Sequence, residues 1–388
     1  MLNFTWHSPT KVYFGKNKIN MLEGELHKRS KKILLVYGKE SIKKYGIYND
    51  VLQQITKSKI PHIELSGIQT NPILSKVYEG IKLCKDNSID FILAVGGGSV
   101  IDTSKAIAAG VKYNGDIWDY FQSHKGPSES LPIGTVLTHA ATGSEMNGNS
   151  VITNEKTKDK LSCSSPVLIP CFSILNPEYT YSVDPKNTAA GIADIMSHVF
   201  EYYLSPIPQA YIQDRLAEAL LMTCLKYGPI ACKNPNNYEA RSNLMWSSTL
   251  ALNGLIGKGK ISDWTCHAIE HEISGLYNIS HGIGLAILLP NFMKVSINNE
   301  TVNNFALCGI NVFNINKNKE QFEIAEDIIN KIRIFFNSLG LPSTLTEIGI
   351  TDKHFQKITK NAIKRRGKVG HYKQLTKENI MNILNISL

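Results

Sequence analysis

The 388-residue sequence has no apolar run of the roughly 18 residues needed to cross a bilayer, so no membrane-spanning helix is expected. Its first residues, MLNFTWHSPTKVYFG, hold no basic stretch followed by an apolar one, so no secretory signal is expected. The seven cysteines (Cys84, Cys163, Cys171, Cys224, Cys232, Cys266, Cys308) are scattered, odd in number and without a CxxC pair. That pattern speaks against a disulfide framework and favours a reducing cytoplasm. Acidic residues are in deficit, 33 against 42 Lys and Arg, giving a net charge of +9. The basic residues form only short clusters, such as Lys31-Lys32 and Lys364-Arg365-Arg366, without aromatic interleaving or zinc-finger spacing. The excess therefore reads as a solvated basic surface, and no nucleic-acid partner is expected. Also missing is a GxGxxG fingerprint after the first strand, so a standard Rossmann dinucleotide site is not supported.

What is present is a soluble composition, 43% hydrophobic and 19% charged, on a chain long enough for two domains. The first half alternates strand and helix signals. Short apolar runs at 32–37, 91–95 and near 132–138 read as strands, and 73–86 and 99–110 read as helices. A hairpin-like pair is expected near 160–175. Such alternation implies a parallel sheet covered by helices on both faces. From about 187 helical periodicity dominates, over 187–204, 208–227, 236–255, 262–276, 282–296, 320–338 and 376–386. Pro290 is expected to kink or shorten the fifth of these. The reading is thus an α/β domain at 1–186 followed by an all-α domain at 187–388, with a ligand site in the crevice between them as the default expectation.

Gly96-Gly97-Gly98-Ser99 lies between a strand and a helix. Glycines there let backbone N–H groups approach an anion, and the helix presents its positive end to it. A diphosphate is the natural guest. Asp102 shares the loop-proximal helix face; as an acid it would repel a diphosphate, so it is expected to meet ribose, nicotinamide or substrate.

Asp194 and His198 are spaced i, i+4, and so are His267 and His271; His281 follows nearby. On a helix such pairs share a face. One carboxylate with several imidazoles suits Zn²⁺ or Fe²⁺. Spacing alone does not decide which four of these five would bind. Glu201, one turn beyond His198, reads as a solvated surface charge or as an acid behind a ligand.

These segments carry a resemblance. GGGSVIDTSK at 96–105, GTVLTHAATGSEMN at 134–147, GIADIMSHVFE at 191–201 and DWTCHAIEHEISGLYNISHG at 263–282 together resemble the iron-containing (group III) alcohol dehydrogenases, in their butanol dehydrogenase and aldehyde reductase branch. The resemblance implies a dehydroquinate-synthase-like fold: a Rossmann-like α/β dinucleotide-binding domain plus a helical metal-binding domain. It implies Asp194, His198, His267 and His281 as ligands of one divalent metal, Fe²⁺ or Zn²⁺. His271 is then a non-ligand histidine in the pocket, with Asp102 close to the nicotinamide. Gly97, Gly98 and Ser99 fall on the diphosphate site, and Leu137, Thr138, Lys160 and Tyr179 on further cofactor contacts. Without it, Lys160 reads as a surface lysine and Tyr179 as a packing tyrosine. A homodimer is also implied. After the first strand stands Gly38-Lys39-Glu40-Ser41. Lys39 and Ser41 could receive a 2′-phosphate, while Glu40 could oppose it or point to solvent, so NADP(H) is favoured over NAD(H).

The expected activity is hydride transfer between NADP(H) and primary alcohols or aldehydes such as butanol and butanal. A lyase similar to dehydroquinate synthase would need basic groups for a charged substrate. The metal segments here carry Trp264, Ile269, Ile273, Leu276 and Tyr277 instead. A glycerol-dehydrogenase-like polyol oxidoreductase resembles a three-ligand site, whereas His281 supplies a fourth.

Overall fold

A computed structural model describes residues 1–123, 125–207, 210–366 and 369–388. The side chains of Arg365 and Arg366, part of the basic cluster noted above, and positions 208–209 of the helix expected over 208–227 lie outside the described residues. No helix among the described residues is long and apolar enough to cross a membrane.

The strands are β1 (Lys11–Phe14), β2 (Ile33–Tyr37), β3 (His62–Leu65), β4 (Phe91–Gly96), β5 (Ile133–Leu137), β6 (Asn149–Asn154), β7 (Asp159–Ser164) and β8 (Phe172–Leu175). Between them run α1 (Leu22–Arg29), α2 (Ser41–Lys44), α3 (Ile47–Ser58), α4 (Leu74–Asn87), α5 (Gly98–Lys112) and α6 (Trp118–Ser123). The helices that follow are α7 (Pro185–Tyr203), α8 (Tyr211–Lys233), α9 (Tyr238–Leu252), α10 (Thr265–Tyr277), α11 (His281–Ser296), α12 (Val302–Phe313), α13 (Gln321–Ser338), α14 (Phe355–Arg366) and α15 (Lys377–Asn385).

One compact unit is α/β and comprises His7–Asp184 with Pro235–Thr249. Its six-stranded sheet has the order β1-β8-β5-β4-β2-β3, and every neighbouring pair is parallel. The central strands are apolar runs because both sheet faces are covered. Alternation divides them between two layers. Leu34, Val36, Ile92 and Ala94 join a core with Val77, Ile101 and Ile107 of α4 and α5. Ile33, Leu35, Phe91 and Leu93 join the opposite core with Leu26, Val51 and Ile55 of α1 and α3. The chain leaves β2 toward β3 on one side, then returns through β4 to β5 on the other. The carboxyl ends of β2 and β4 therefore flank the point where strand order reverses, the place where open α/β sheets take ligands.

The hairpin falls elsewhere than expected. It joins β6 and β7 in antiparallel register, and β8 enters the main sheet beside β5 and β1. A four-residue buried strand carries no periodicity that tells a hairpin arm from a parallel strand.

The other unit comprises Met1–Trp6, Pro185–Asn234 and Leu250–Leu388, and its long elements are helices. Pro290 does not end α11, which runs on to Ser296. A mid-helix proline costs about 3 kcal/mol. Leu285, Ile287, Leu288, Leu289 and Phe292 are all essentially buried around it, each contributing about 1.5–3 kcal/mol. Helices α12 and α14 escaped the sequence reading. The segment Pro235–Thr249 belongs with the α/β unit: Trp246 packs edge-on against Phe14, and Thr249 donates to the buried Glu145 at 2.5 Å.

In the α/β unit, Glu25 of α1 accepts from Tyr13 (2.6 Å), Arg29 (2.9 Å) and Lys11 (3.3 Å). Burial alone would raise its pKa; these donors outweigh burial and bring it from 4.5 down to about 2. The folded value lies below the unfolded one, so the stabilisation is present above pH 4.5 and is lost as pH falls toward 2. Glu25→Gln is expected to cost about 2–3 kcal/mol at neutral pH. Thermal unfolding of variant and wild type should converge near pH 2; an unchanged gap there would refute the assignment.

Candidate functional site

Two sets of residues gather chemistry, one in each unit.

In the helical unit, α7 places Asp194 and His198 one turn apart, α10 carries His267 and His271, and α11 begins at His281. Asp194 Oδ1 is buried and has no hydrogen-bond partner among the described residues. Facing it are the Nε2 atoms of His198 (3.5 Å), His281 (3.7 Å) and His267 (3.8 Å). Two donors about 2.1 Å from one ion at a tetrahedral angle stand about 3.4 Å apart. The four residues thus fit one cation of Zn²⁺ or Fe²⁺ type, and an uncharged hydrogen-bond network would not leave that oxygen orphaned. Asp194, His267 and His281 form one group whose ligand atoms all lie within 4.8 Å of one another.

The electrostatics follow from burial and proximity. Burial would raise Asp194, but the imidazoles, His198 foremost, outweigh it and hold the carboxyl below its usual range. Burial drives His198 down to about 3 despite Asp194, leaving its lone pair free at neutral pH. It acts likewise on His267, yet Glu201 and then Asp194 lift that ring to about 9. A cation entering would displace that proton.

His271 is partly exposed and lies in ring contact with His281 (5.3 Å) and His267 (6.4 Å). It shares a second, overlapping group with Glu270 and His281. Trp264 stands edge-on to His198 and His267. Ile269 and Ile273 of α10 are wholly buried.

Glu201 is no surface charge. It is 1% exposed, its Oε1 lies 3.0 Å from His267 Nδ1, and it accepts the His267 backbone N–H at 3.0 Å. Periodicity alone hid this because α7 is buried on nearly all sides. Glu270, paired with His281 Nδ1, was missed altogether. An acid lying between two candidate ligand histidines on one helix was the signal available.

In the α/β unit, Gly38 follows β2, Gly97 caps α5 after β4, and Leu137 ends β5 with Thr138 next. All stand at the carboxyl edge of three adjacent strands. The edge is closely packed: Thr138 N–H bonds Gly96 carbonyl, and a Cβ at Gly98 would come within 2.5 Å of Thr142 Oγ1. Only glycine fits there without displacing the Thr142 side chain. Lys39 and Ser41 are exposed, and Glu40 is exposed and 3.7 Å from Lys43.

Asp102 accepts from Ser144 Oγ (2.6 Å) and from Val151 N–H (2.9 Å), and burial raises its pKa. Lys105, wholly buried, donates to the Ser144 carbonyl and hydroxyl and to Asn149 and Asn147. Lys160 is not at the surface: it is 6% exposed and bonds Asn71 at 3.0 Å. Tyr179 is buried, and its hydroxyl donates to Asp50 at 3.0 Å.

Comparison with known proteins agrees in both units. Residues 9–177 match the family described as iron-containing alcohol dehydrogenase, and 188–388 its C-terminal domain, described as Fe-containing alcohol dehydrogenase family, C-terminal. The chain is 46% identical to NADH-dependent butanol dehydrogenase A of Clostridium acetobutylicum, covering 100% of both chains. It is 37% identical to NADPH-dependent aldehyde reductase YqhD of Escherichia coli, over 90% of each. The crystal structure of NADH-dependent butanol dehydrogenase A from Thermotoga maritima superposes with a TM-score of 0.94 at 38% identity, covering 100% of this chain and 99% of that one. That of Escherichia coli YqhD gives 0.95 at 34%, with the same coverage. By these matches along its whole length, the chain belongs to the iron-containing alcohol dehydrogenase family, in its butanol dehydrogenase branch.

Proposed function

We propose that this enzyme is a divalent-cation-dependent aldehyde reductase and alcohol dehydrogenase that uses NADP(H) on primary alcohols and aldehydes such as butanol and butanal. The observation that carries it is the orphaned Asp194 oxygen faced by three imidazole Nε2 atoms at 3.5–3.8 Å. Asp194, His198, His267 and His281 hold the cation, Fe²⁺ or Zn²⁺. When bound, the cation polarises the carbonyl oxygen and the reduced nicotinamide supplies the hydride.

The chain's own residues do the rest. Gly97, Gly98 and Ser99 receive the diphosphate on backbone N–H groups at the start of α5. Leu137, Thr138, Lys160 and Tyr179 line the nucleotide, with Asp102 near the nicotinamide ring. Ser144 and Val151 hold the Asp102 carboxylate in place. His271, partly exposed beside the ligand rings, passes a proton toward the product oxygen. No protein nucleophile is required.

Lys39 and Ser41 beyond Gly38 support NADP(H), because a lysine and a hydroxyl can bind a 2′-phosphate. The butanol dehydrogenases at 46% identity are named NADH-dependent, which favours NAD(H) as the second reading. The test is loss of nicotinamide absorbance with butanal, run with NADPH and NADH. Lys39→Ala is expected to raise KM for NADPH about 3–5-fold at low salt and leave that for NADH unchanged, as for an exposed charge contact of at most about 1 kcal/mol. Equal effects on both cofactors would reject the 2′-phosphate assignment.

A further inference from the structure

We infer that Glu201 and Glu270 are positioning residues, each holding one imidazole so that its Nε2 is the atom offered to the cation. The inference rests on the reading of the Asp194 cluster as a cation site. An imidazole in contact with a carboxylate through Nδ1 keeps its proton on Nδ1, because a carboxylate only accepts. The Nε2 lone pair is then the one available for a metal.

The two carboxylates meet different rings from different helices. Glu201 of α7 lies against Nδ1 of His267 at 3.0 Å and also takes that residue's backbone N–H, so ring and main chain are gripped together. The carbonyl of Glu201 accepts the Asp263 N–H at 2.8 Å, tying α7 to the start of α10. Glu270 of α10 meets Nδ1 of His281, the first residue of α11. Room for its carboxylate comes from Gly284: a Cβ there would stand 2.8 Å from Glu270 Oε1. Both glutamates are essentially without exposed surface, at 1% and 0%. His198 is the contrast. Neither its buried Nδ1 nor that of His267 makes a well-aligned hydrogen bond among the described residues, but a Glu201 oxygen stands 3.0 Å from the latter, and His198 is not in the group formed by Asp194, His267 and His281. The site therefore has two donors set by carboxylates and one imidazole, His198, that is not.

The experiment titrates metal-stripped protein with Co²⁺ and Zn²⁺ against a chelator of known affinity. Glu201→Leu and Glu270→Leu are each expected to weaken binding about 10–100-fold, with Glu201→Gln and Glu270→Gln recovering part of the loss because the amide oxygen still accepts. Glu272→Gln, on the same helix but bonded to Asn361, should keep wild-type affinity. In the Co²⁺ protein, exchangeable shifted N–H resonances should report Nδ1–H of His267 and His281, and each Leu variant should lose one. A purely structural role would lower stability without moving those signals. Should a Leu variant fail to fold, the Gln variant at that position and the other glutamate still decide. Wild-type affinity and both resonances in the variants overturn the inference alone. A wild-type protein that binds neither ion overturns the cation reading and this inference with it.

Discussion

Replacing His267 with alanine is expected to abolish cation binding and to lower kcat/KM for butanal by about three decades. His267 groups with Asp194 and His281 within 4.8 Å, and its Nε2 is one of the three atoms turned on Asp194 Oδ1. A Lewis acid at a developing oxyanion supplies several kcal/mol, and about 4 kcal/mol corresponds to three decades. The fold should survive. Glu201 still accepts the backbone N–H of residue 267, which alanine retains. The lost ring contacts cost about 1–3 kcal/mol, less than the usual total stability. Burial already raises Glu201, and losing its partner ring raises it further. Metal content by mass spectrometry, NADPH affinity by fluorescence and butanal turnover separate the effects. The NADPH affinity should be unchanged, since the residues proposed to bind the nucleotide lie in the other unit. Full turnover of the variant in chelator-treated buffer would end the metal assignment.

Lys105→Met is expected to destabilise the α/β unit by about 3–5 kcal/mol, the usual cost of breaking a buried charge network, and to lower its unfolding midpoint by roughly 10 °C. The side chain of Lys105 has no exposed surface, and its Nζ serves four acceptors. Methionine fills the volume but leaves them unpaired, and removes the cation that balances Asp102 and Glu145. Ser144 would then lose the lysine that holds it against Asp102. NADPH affinity should fall with it. Burial pulls Lys105 from 10.5 down to about 8, against the pull of Asp102. Between those values the unfolded chain binds more protons than the folded one, so this group's contribution to stability rises with pH across that window. The methionine variant should lack the rise. A midpoint within about 2 °C of wild type would show that the network is not needed for the fold.

Much of this was legible in the residues. Apolar runs at 33–37 and 91–96 are strands because a doubly covered parallel sheet needs them, and glycines mark the turn between β4 and α5. Asp194 and His198 share a face because a helix turns every 3.6 residues. Other features needed the folded chain. Periodicity cannot tell a helix face on the surface from one buried on all sides, so Glu201 and Lys160 looked solvated and are not. It could not rank five ligand candidates either, because His281 meets Asp194 across 87 positions of chain.

The sequence by itself determined the helices and strands of the long periodic segments, the donor types of the proposed cation site and the glycine-rich edge. These are local properties, carried by neighbours within a few turns. Only the tertiary structure decided that Pro235–Thr249 joins the α/β unit, that β8 lies in the main sheet, and that Glu201 and Glu270 stand behind His267 and His281. Those outcomes depend on which buried surfaces meet, and packing between distant segments, unlike periodicity, leaves no spacing to read.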